Sequence, residues 1–278
     1  MKQASMKRYL ILAGLLLALF ATATIQPAFA IVGGQDAKPG EFPFLVALVS
    51  TEDGSQFCGG SIINAEWVLT AAHCFFNDDT PPVQDTFEQD VQIKAGIIDL
   101  NDPDAQMVGV KKIYHPGYDG DVHDIALLHL AKPLSLDNKI VAPVKLNADP
   151  KIPGPTAIVM VAGWGATDPE GQTFPDTLKK TTLPVIGCDS DVATEYVCAG
   201  DKKGKDTCEG DSGGPLVIQQ TADLVRTVDP ADPVPGLHAV QIGIVSFGGD
   251  KCGQRGAYTR VAAYIDWINK TIADNSKK

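Results

Sequence analysis

Apolar stretches in this chain are short, and turn residues separate nearly all of them. The runs "FPFLVALVS" (42–50), "WVLT" (67–70), "VQIKAG" (91–96), "DIALLHL" (124–130), "TAIVMVAGWG" (156–165), "GPLVIQQ" (214–220) and "AVQIGIVSFG" (239–248) are bounded by Gly, Pro, Asn and Asp. Runs of this length and punctuation fit strands joined by turns better than helices. An all-β chain follows, built as a sandwich or a barrel. One convincing helix comes last, where Val261, Tyr264, Ile265, Ile268 and Ile272 recur on one face at a helical period. Residues 132–155, rich in Pro, Lys and Asp, read as a connection between two β domains. Residues 221–239 are too proline-rich for a strand and read as a surface excursion.

The N-terminus has a different character. Lys2, Lys7 and Arg8 precede an uncharged apolar run from Tyr9 to Phe20, and Ala28-Phe29-Ala30 closes the segment. That order is the pattern of a secretory signal over residues 1–30, with cleavage after Ala30. The apolar run is too short for the ~20 residues of a spanning helix. An earlier site, Ala21-Thr22-Ala23, would instead leave a pro-segment "TIQPAFA" ahead of Ile31. Loss of the signal removes three basic residues and no acidic one, moving the formal charge from −11 to −14. Such an acidic chain is a poor partner for nucleic acid or an anionic membrane, and a secreted location, extracellular or periplasmic, follows from the signal.

Six cysteines in a secreted chain suggest three disulfides, and spacing alone permits fifteen pairings. Zinc is the competing use, but the sequence has no Cys-x-x-Cys and no closely spaced histidine pair, so no metal and no cofactor is expected.

"GDSGGP" (210–215) is the most informative local motif. A serine hydroxyl is a weak nucleophile, so hydrolysis requires an adjacent base and N–H donors aimed at the developing oxyanion. Glycine at 210 lets the backbone amide turn toward that oxygen. "DSG" alone would equally suit an Asx-turn. "LTAAHC" (69–74) adds a histidine after an apolar strand, and "HDIALLHL" (123–130) adds an aspartate at the head of a buried one. A carboxylate there is costly unless paired, and a histidine whose tautomer must be fixed is a suitable partner. His, Asp, Ser is one of the orders in which hydrolytic triads occur along a chain.

Together "IVGG" (31–34), "LTAAHC", "HDIALLHL", "VAGWG" (161–165), "GDSGGP" and "YTRVAAYIDWI" (258–268) resemble the chymotrypsin-like serine proteases, trypsin branch, over about residues 31–270. The resemblance implies two antiparallel six-stranded β-barrels, with the active site in the cleft between them and a C-terminal helix. The first would cover about 31–140 and the second, with the helix, about 150–272, within a domain of 31–278. It implies Ser212 as nucleophile, His73 as general base and Asp124 as its orienting partner. The N–H groups of Gly210 and Ser212 would form the oxyanion hole. The cysteines would pair as Cys58–Cys74, Cys188–Cys198 and Cys208–Cys252. A freed Ile31 ammonium would pair with Asp211 and shape the oxyanion loop. Asp206 would sit at the base of the primary pocket, with Gly248 and Gly256 in its wall, giving cleavage after Arg or Lys. His115, His123, His129 and His238 read as surface or core residues.

Some positions depart from the family pattern. Arg255 stands where proline is common and would narrow the pocket or compete for Asp206. Phe247 replaces a common tryptophan. Ile97 occupies a position where a calcium-binding loop has glutamate, so Asp99, Asp102 and Asp104 read as a solvated turn. Asn269-Lys270-Thr271 is a glycosylation sequon. The function expected is a monomeric secreted endopeptidase acting on proteins or peptides with Arg or Lys before the cleaved bond. Proteinaceous inhibitors are a further partner class. The alternatives are a protease of different primary specificity and a catalytically silent binding protein of the same fold. An intact triad and oxyanion glycine separate the last from the first two.

Overall fold

The computed structural model describes residue 31 and residues 34–77, 79–120, 122–188, 194–200, 206–219, 239–249 and 252–276. The proposed signal, the body of the 221–239 excursion and His238 lie outside the described residues.

The first barrel is formed by β2 (Leu45–Ser50), β3 (Gln56–Asn64), β4 (Trp67–Thr70), β5 (Val91–Ala95), β6 (Gln106–Tyr114) and β7 (Ala126–Leu130). They close in the order β2-β3-β4-β7-β6-β5. The second contains β9 (Ile158–Gly163), β10 (Lys179–Ile186), β11 (Tyr196–Ala199), β12 (Pro215–Gln219), β13 (Ala239–Phe247) and β14 (Gly256–Arg260). Its ring runs β9-β10-β11-β14-β13-β12 and back to β9. Every strand of each ring has two antiparallel neighbours, so neither ring leaves a free edge. Two short strands lie outside the rings: β1 (Gln35–Asp36) pairs with β10, and β8 (Lys145–Leu146) runs parallel to β13. Gln35 and Asp36, expected with the first barrel, therefore sit on the second. Ile31 is itself part of the second barrel's core. β8 is a strand inside the segment read only as a connection.

Burial on both faces explains why several strands read as unbroken apolar runs. In β2, Val46 and Leu48 fill the first barrel, while Leu45, Ala47 and Val49 face the second together with Ala162, Trp164 and Val217. β5 has a buried and a wetter face, and its sequence alternates accordingly. The terminal helix α1 (Val261–Asn275) follows β14 directly, yet it packs on the outside of the first barrel. Val261, Tyr264 and Ile268 meet Trp67, Leu69 and Leu127, with Ile244 of β13 in the same cluster. The helix thus bolts one barrel to the other. Ile268 is 1% exposed, so Ile268→Ala should cost about 2–5 kcal/mol by lost contacts and a residual cavity. A thermal melt unchanged from the parent would show that α1 adds nothing to the junction.

The three disulfides are Cys58–Cys74, Cys188–Cys198 and Cys208–Cys252, the pairing the family resemblance implies. Among the described residues no helix is long and apolar enough to cross a membrane.

Candidate active site

His73 opens a single 3-10 turn at the end of β4, and Cys74 beside it is tied to β3. Asp124 lies just before β7 and is 3% exposed. Its Oδ2 is 2.8 Å from His73 Nδ1, and its Oδ1 accepts the His73 backbone N–H at 2.9 Å. Ser246 Oγ donates to the same Oδ2, and Thr259 Oγ1 donates to the Asp124 carbonyl at 2.8 Å. Burial opposes the charge of Asp124, but the His73 ring and the donors from His73 and Ser246 outweigh it. Its pKa is held below the ordinary carboxylate value. An ionised carboxylate at that distance fixes the proton on Nδ1 and leaves Nε2 as the acceptor.

The segment bearing Ser212 is held one peptide at a time. Glu209 O accepts from Ala166 N at 2.7 Å, and Asp211 O accepts from Gly214 N at 3.0 Å. Each peptide is planar and trans, so the N–H of Gly210 and the N–H of Ser212 must point away from those bonds. Neither amide donates to a protein acceptor among the described residues. Ser212 O accepts from Gly59 N at 2.7 Å and Gly213 N donates to Val245 O at 2.8 Å, anchoring the loop to both barrels. A Cβ on Gly213 (φ 78°) would collide with Thr70 Oγ1 and approach Ala71 N to 3.1 Å. The serine loop is thereby packed onto the stretch of chain that leads into His73.

Ser212 lines a cavity of about 100 Å³, together with Asp206, Ser246, Phe247, Gly248 and the Cys208–Cys252 bridge. Asp206 is 2% exposed. Burial pushes its pKa up to about 7, although Thr207 N and Tyr258 Oη donate to it at 2.8 and 3.1 Å. Gly256 lies against that carboxylate. A Cβ there would come within 2.8 Å of Asp206 Oδ1 and 2.9 Å of Tyr258 Oη. Arg255 does not enter the cavity, since its guanidinium reaches the Gly187 carbonyl at 2.8 Å. Among the described residues, Arg255 is not in the cavity lining and makes no contact with Asp206. Phe247 is half exposed at the rim, its ring edge-on to Tyr196.

Asp211 is wholly buried, and its oxygens accept from Gly165 N at 2.9 Å and Cys208 N at 3.0 Å. A Cβ on Gly163 or Gly165 would run into the carboxyl, which explains both glycines of "VAGWG". It has no ion-pair partner among the described residues, and burial pushes its pKa up to about 7. Ile31 is fully buried in the core of the same barrel.

Sequence reasoning missed Ser246, Thr259, Tyr258 and Gln56. Ser246 stands in "SFG" at the end of a strand and Tyr258 and Thr259 open "YTRVAAYIDWI", while Gln56 had no local signal. Asp99 and Asp102 each accept the amide two residues on, at 2.8 and 2.9 Å, as ordinary Asx-turns do. The one grouping of metal-ligand atoms among the described residues is Cys58, His73 and Cys74. It is the disulfide beside the histidine, and a disulfide has no thiolate to offer. His123 bonds Tyr264 Oη through Nδ1 at 3.1 Å, and His129 stacks on Trp67.

Residues 31–268 match the family model for trypsin. Trypsin-1 of Astacus astacus is 37% identical over 259 residues, covering 86% of this chain and 98% of that protein. Trypsin of Sus scrofa is 33% identical, over 88% of this chain and 96% of its own. Phenoloxidase-activating factor 3 of Holotrichia diomphalia is 34% identical, over 89% and 74% respectively. Among solved structures, human heparin binding protein superposes with a TM-score of 0.69 at 28% identity, covering 88% of this chain and 97% of its own.

Proposed function

Given that the chain belongs to the trypsin family of serine proteases, we propose that it is a secreted endopeptidase that hydrolyses peptide bonds after Arg or Lys. The observation that carries the chemistry is the buried Asp124 held at 2.8 Å from His73 Nδ1, with the serine loop packed beside it. Ser212 Oγ attacks the scissile carbonyl while His73 Nε2 takes its proton. The tetrahedral oxyanion is met by the N–H groups of Gly210 and Ser212. The imidazolium, stabilised by Asp124, then protonates the departing amine and leaves an acyl group on Ser212. Water deprotonated by His73 releases the acid and restores the serine.

Asp206 supports the choice of Arg or Lys. A carboxyl so desolvated that its pKa rises to about 7 gains most when a cation enters the cavity. A guanidinium or ammonium there makes a charge-assisted contact that a neutral side chain cannot. The signal-like residues 1–30 support export, and the mature protein would start at Ile31, ready to pair with Asp211.

Profiling a peptide library with protein starting at Ile31 tests this reading, with cleavage expected after Arg and Lys. Asp206→Ser should then lower kcat/KM on those substrates by about 2–5 kcal/mol, the cost of truncating a buried charge contact. Turnover of substrates with neutral residues before the bond should be spared. Unchanged cleavage after Arg would remove Asp206 from the base of the pocket.

A further inference from the structure

Most of the bonds that hold the serine loop run from backbone to backbone. The carbonyl of Gly210 is an exception. It accepts a hydrogen bond from Gln56 Nε2 at 2.8 Å, and the same amide group donates to Cys58 O at 2.9 Å. Gln56 opens β3 in the first barrel, so this half-buried side chain spans 154 residues of sequence to reach a loop of the second. Two carbonyl acceptors on one side-chain terminus require its NH₂ group there, which settles the amide's orientation.

Gly210 has a φ of 88°. A glycine in that region has no Cβ to restrict it, so its own sterics do little to hold the peptide planes on either side. Ala166 holds the plane before it, through Glu209 O. The plane after it is held by Gln56 at the carbonyl and by Cys208 O, which accepts from Asp211 N at 3.0 Å. Without Gln56, the plane after Gly210 keeps the Asp211 N–H bond to Cys208 O but loses its side-chain tether among the described residues, so the Gly210 torsions that relate its N–H to that plane are held less tightly.

We infer that Gln56 is a positioning residue for the oxyanion hole, acting through the Gly210 carbonyl to aim the Gly210 N–H into the cleft. This rests on the reading of the cleft as a hydrolytic site. An uncharged donor is required. A carboxylate of the same shape would set its oxygens against two carbonyl oxygens.

The test compares Gln56→Ala and Gln56→Glu with the parent, all starting at Ile31. Truncation should lower kcat by roughly tenfold and leave KM within about twofold, because the lost interaction matters mainly in the transition state. Inhibition by a peptide aldehyde, which forms a tetrahedral adduct, should weaken by the same factor. Gln56→Glu should be at least as impaired at neutral pH. Its deficit relative to the parent should narrow as pH falls and the carboxyl gains a proton it can donate. Thermal melts exclude the trivial cause, global destabilisation. An alanine variant with parental kcat, a change confined to KM, or a glutamate variant without pH-dependent recovery overturns the inference. If the parent hydrolyses no peptide, the functional reading fails, and amide NMR of Gly210 and Ser212 decides the positioning role. Resonances that shift in Gln56→Ala support it, and unmoved ones overturn it.

Discussion

Replacing Ser212 by Ala is expected to abolish peptide hydrolysis and leave the fold intact. The loss in kcat should be on the order of 10⁵- to 10⁶-fold, the size found when a Ser-His-Asp hydrolase loses its nucleophile. Such a loss is chemical because, among the described residues, the hydroxyl makes no hydrogen bond that holds the loop. Ser212 is anchored through its carbonyl to Gly59 N, and its neighbours are anchored through Gly213 N and Asp211 O. All of those are backbone groups that survive the substitution. The N–H groups of Gly210 and Ser212 also survive, so a small rate above that of water should persist. Active-site titration and steady-state turnover, run beside a thermal melt, separate the two possibilities. Turnover close to the parent would remove Ser212 from the chemistry. A large fall in melting temperature would make the serine structural.

How much of this was legible beforehand depended on whether a residue's partner lies nearby in sequence. Strands buried on both faces, such as β2, β7 and β13, announced themselves as apolar runs. β3 did not, because Gly59 and Gly60 interrupt it. A Cβ at Gly60 would come within 2.8 Å of Val68 Cγ1, and one at Gly59 within 3.2 Å of Gly214 Cα. Those glycines record how closely neighbouring chain approaches, which no periodicity encodes. β10 was hidden by Lys, Thr and Pro on a strand with a half-exposed face. The pairing of β1 with β10 links residues about 145 apart in sequence, and nothing in "QD" marks it. The triad residues were legible because each sits in its own short motif. Ser246 is 122 residues from Asp124, and Gln56 is 154 from Gly210. Their roles come from barrel topology, which brings the end of β13 and the start of β3 to the same cleft. The course of Arg255 was hidden for a related reason: the Gly187 carbonyl that its guanidinium reaches is 68 residues away.

Freeing the amino group of Ile31 should switch the protein on, and adding one residue in front of it should switch it off without unfolding it. While Ala30 is attached, the nitrogen of Ile31 is an uncharged amide, and among the described residues Asp211 is buried with two N–H donors for company. Burial raises its pKa from 3.8 to about 7. The sign follows from that direction. A carboxyl raised in the folded state costs nothing below the unfolded value, and its ionisation destabilises the fold progressively as pH rises from about 4 to 7. Ile31 is also held at a φ of 44°, a region hostile to a β-branched residue because of the preceding carbonyl. Cutting the Ala30–Ile31 bond removes that carbonyl and creates the missing cation. The new ammonium, paired with Asp211, should titrate above its ordinary ~7.7–8.0. Its contribution is then fully present below the unfolded pKa and is lost as pH rises through the folded one. Activity of the mature form should therefore decline at alkaline pH. Breaking a buried pair costs about 3–5 kcal/mol, so a one-residue extension should lower activity a hundredfold or more. N-terminal sequencing of the secreted protein, pH–rate profiles of mature and extended forms, and their circular dichroism check each part. A fully active species beginning upstream of Ile31 would leave the burial of Asp211 without a partner and sink the mechanism.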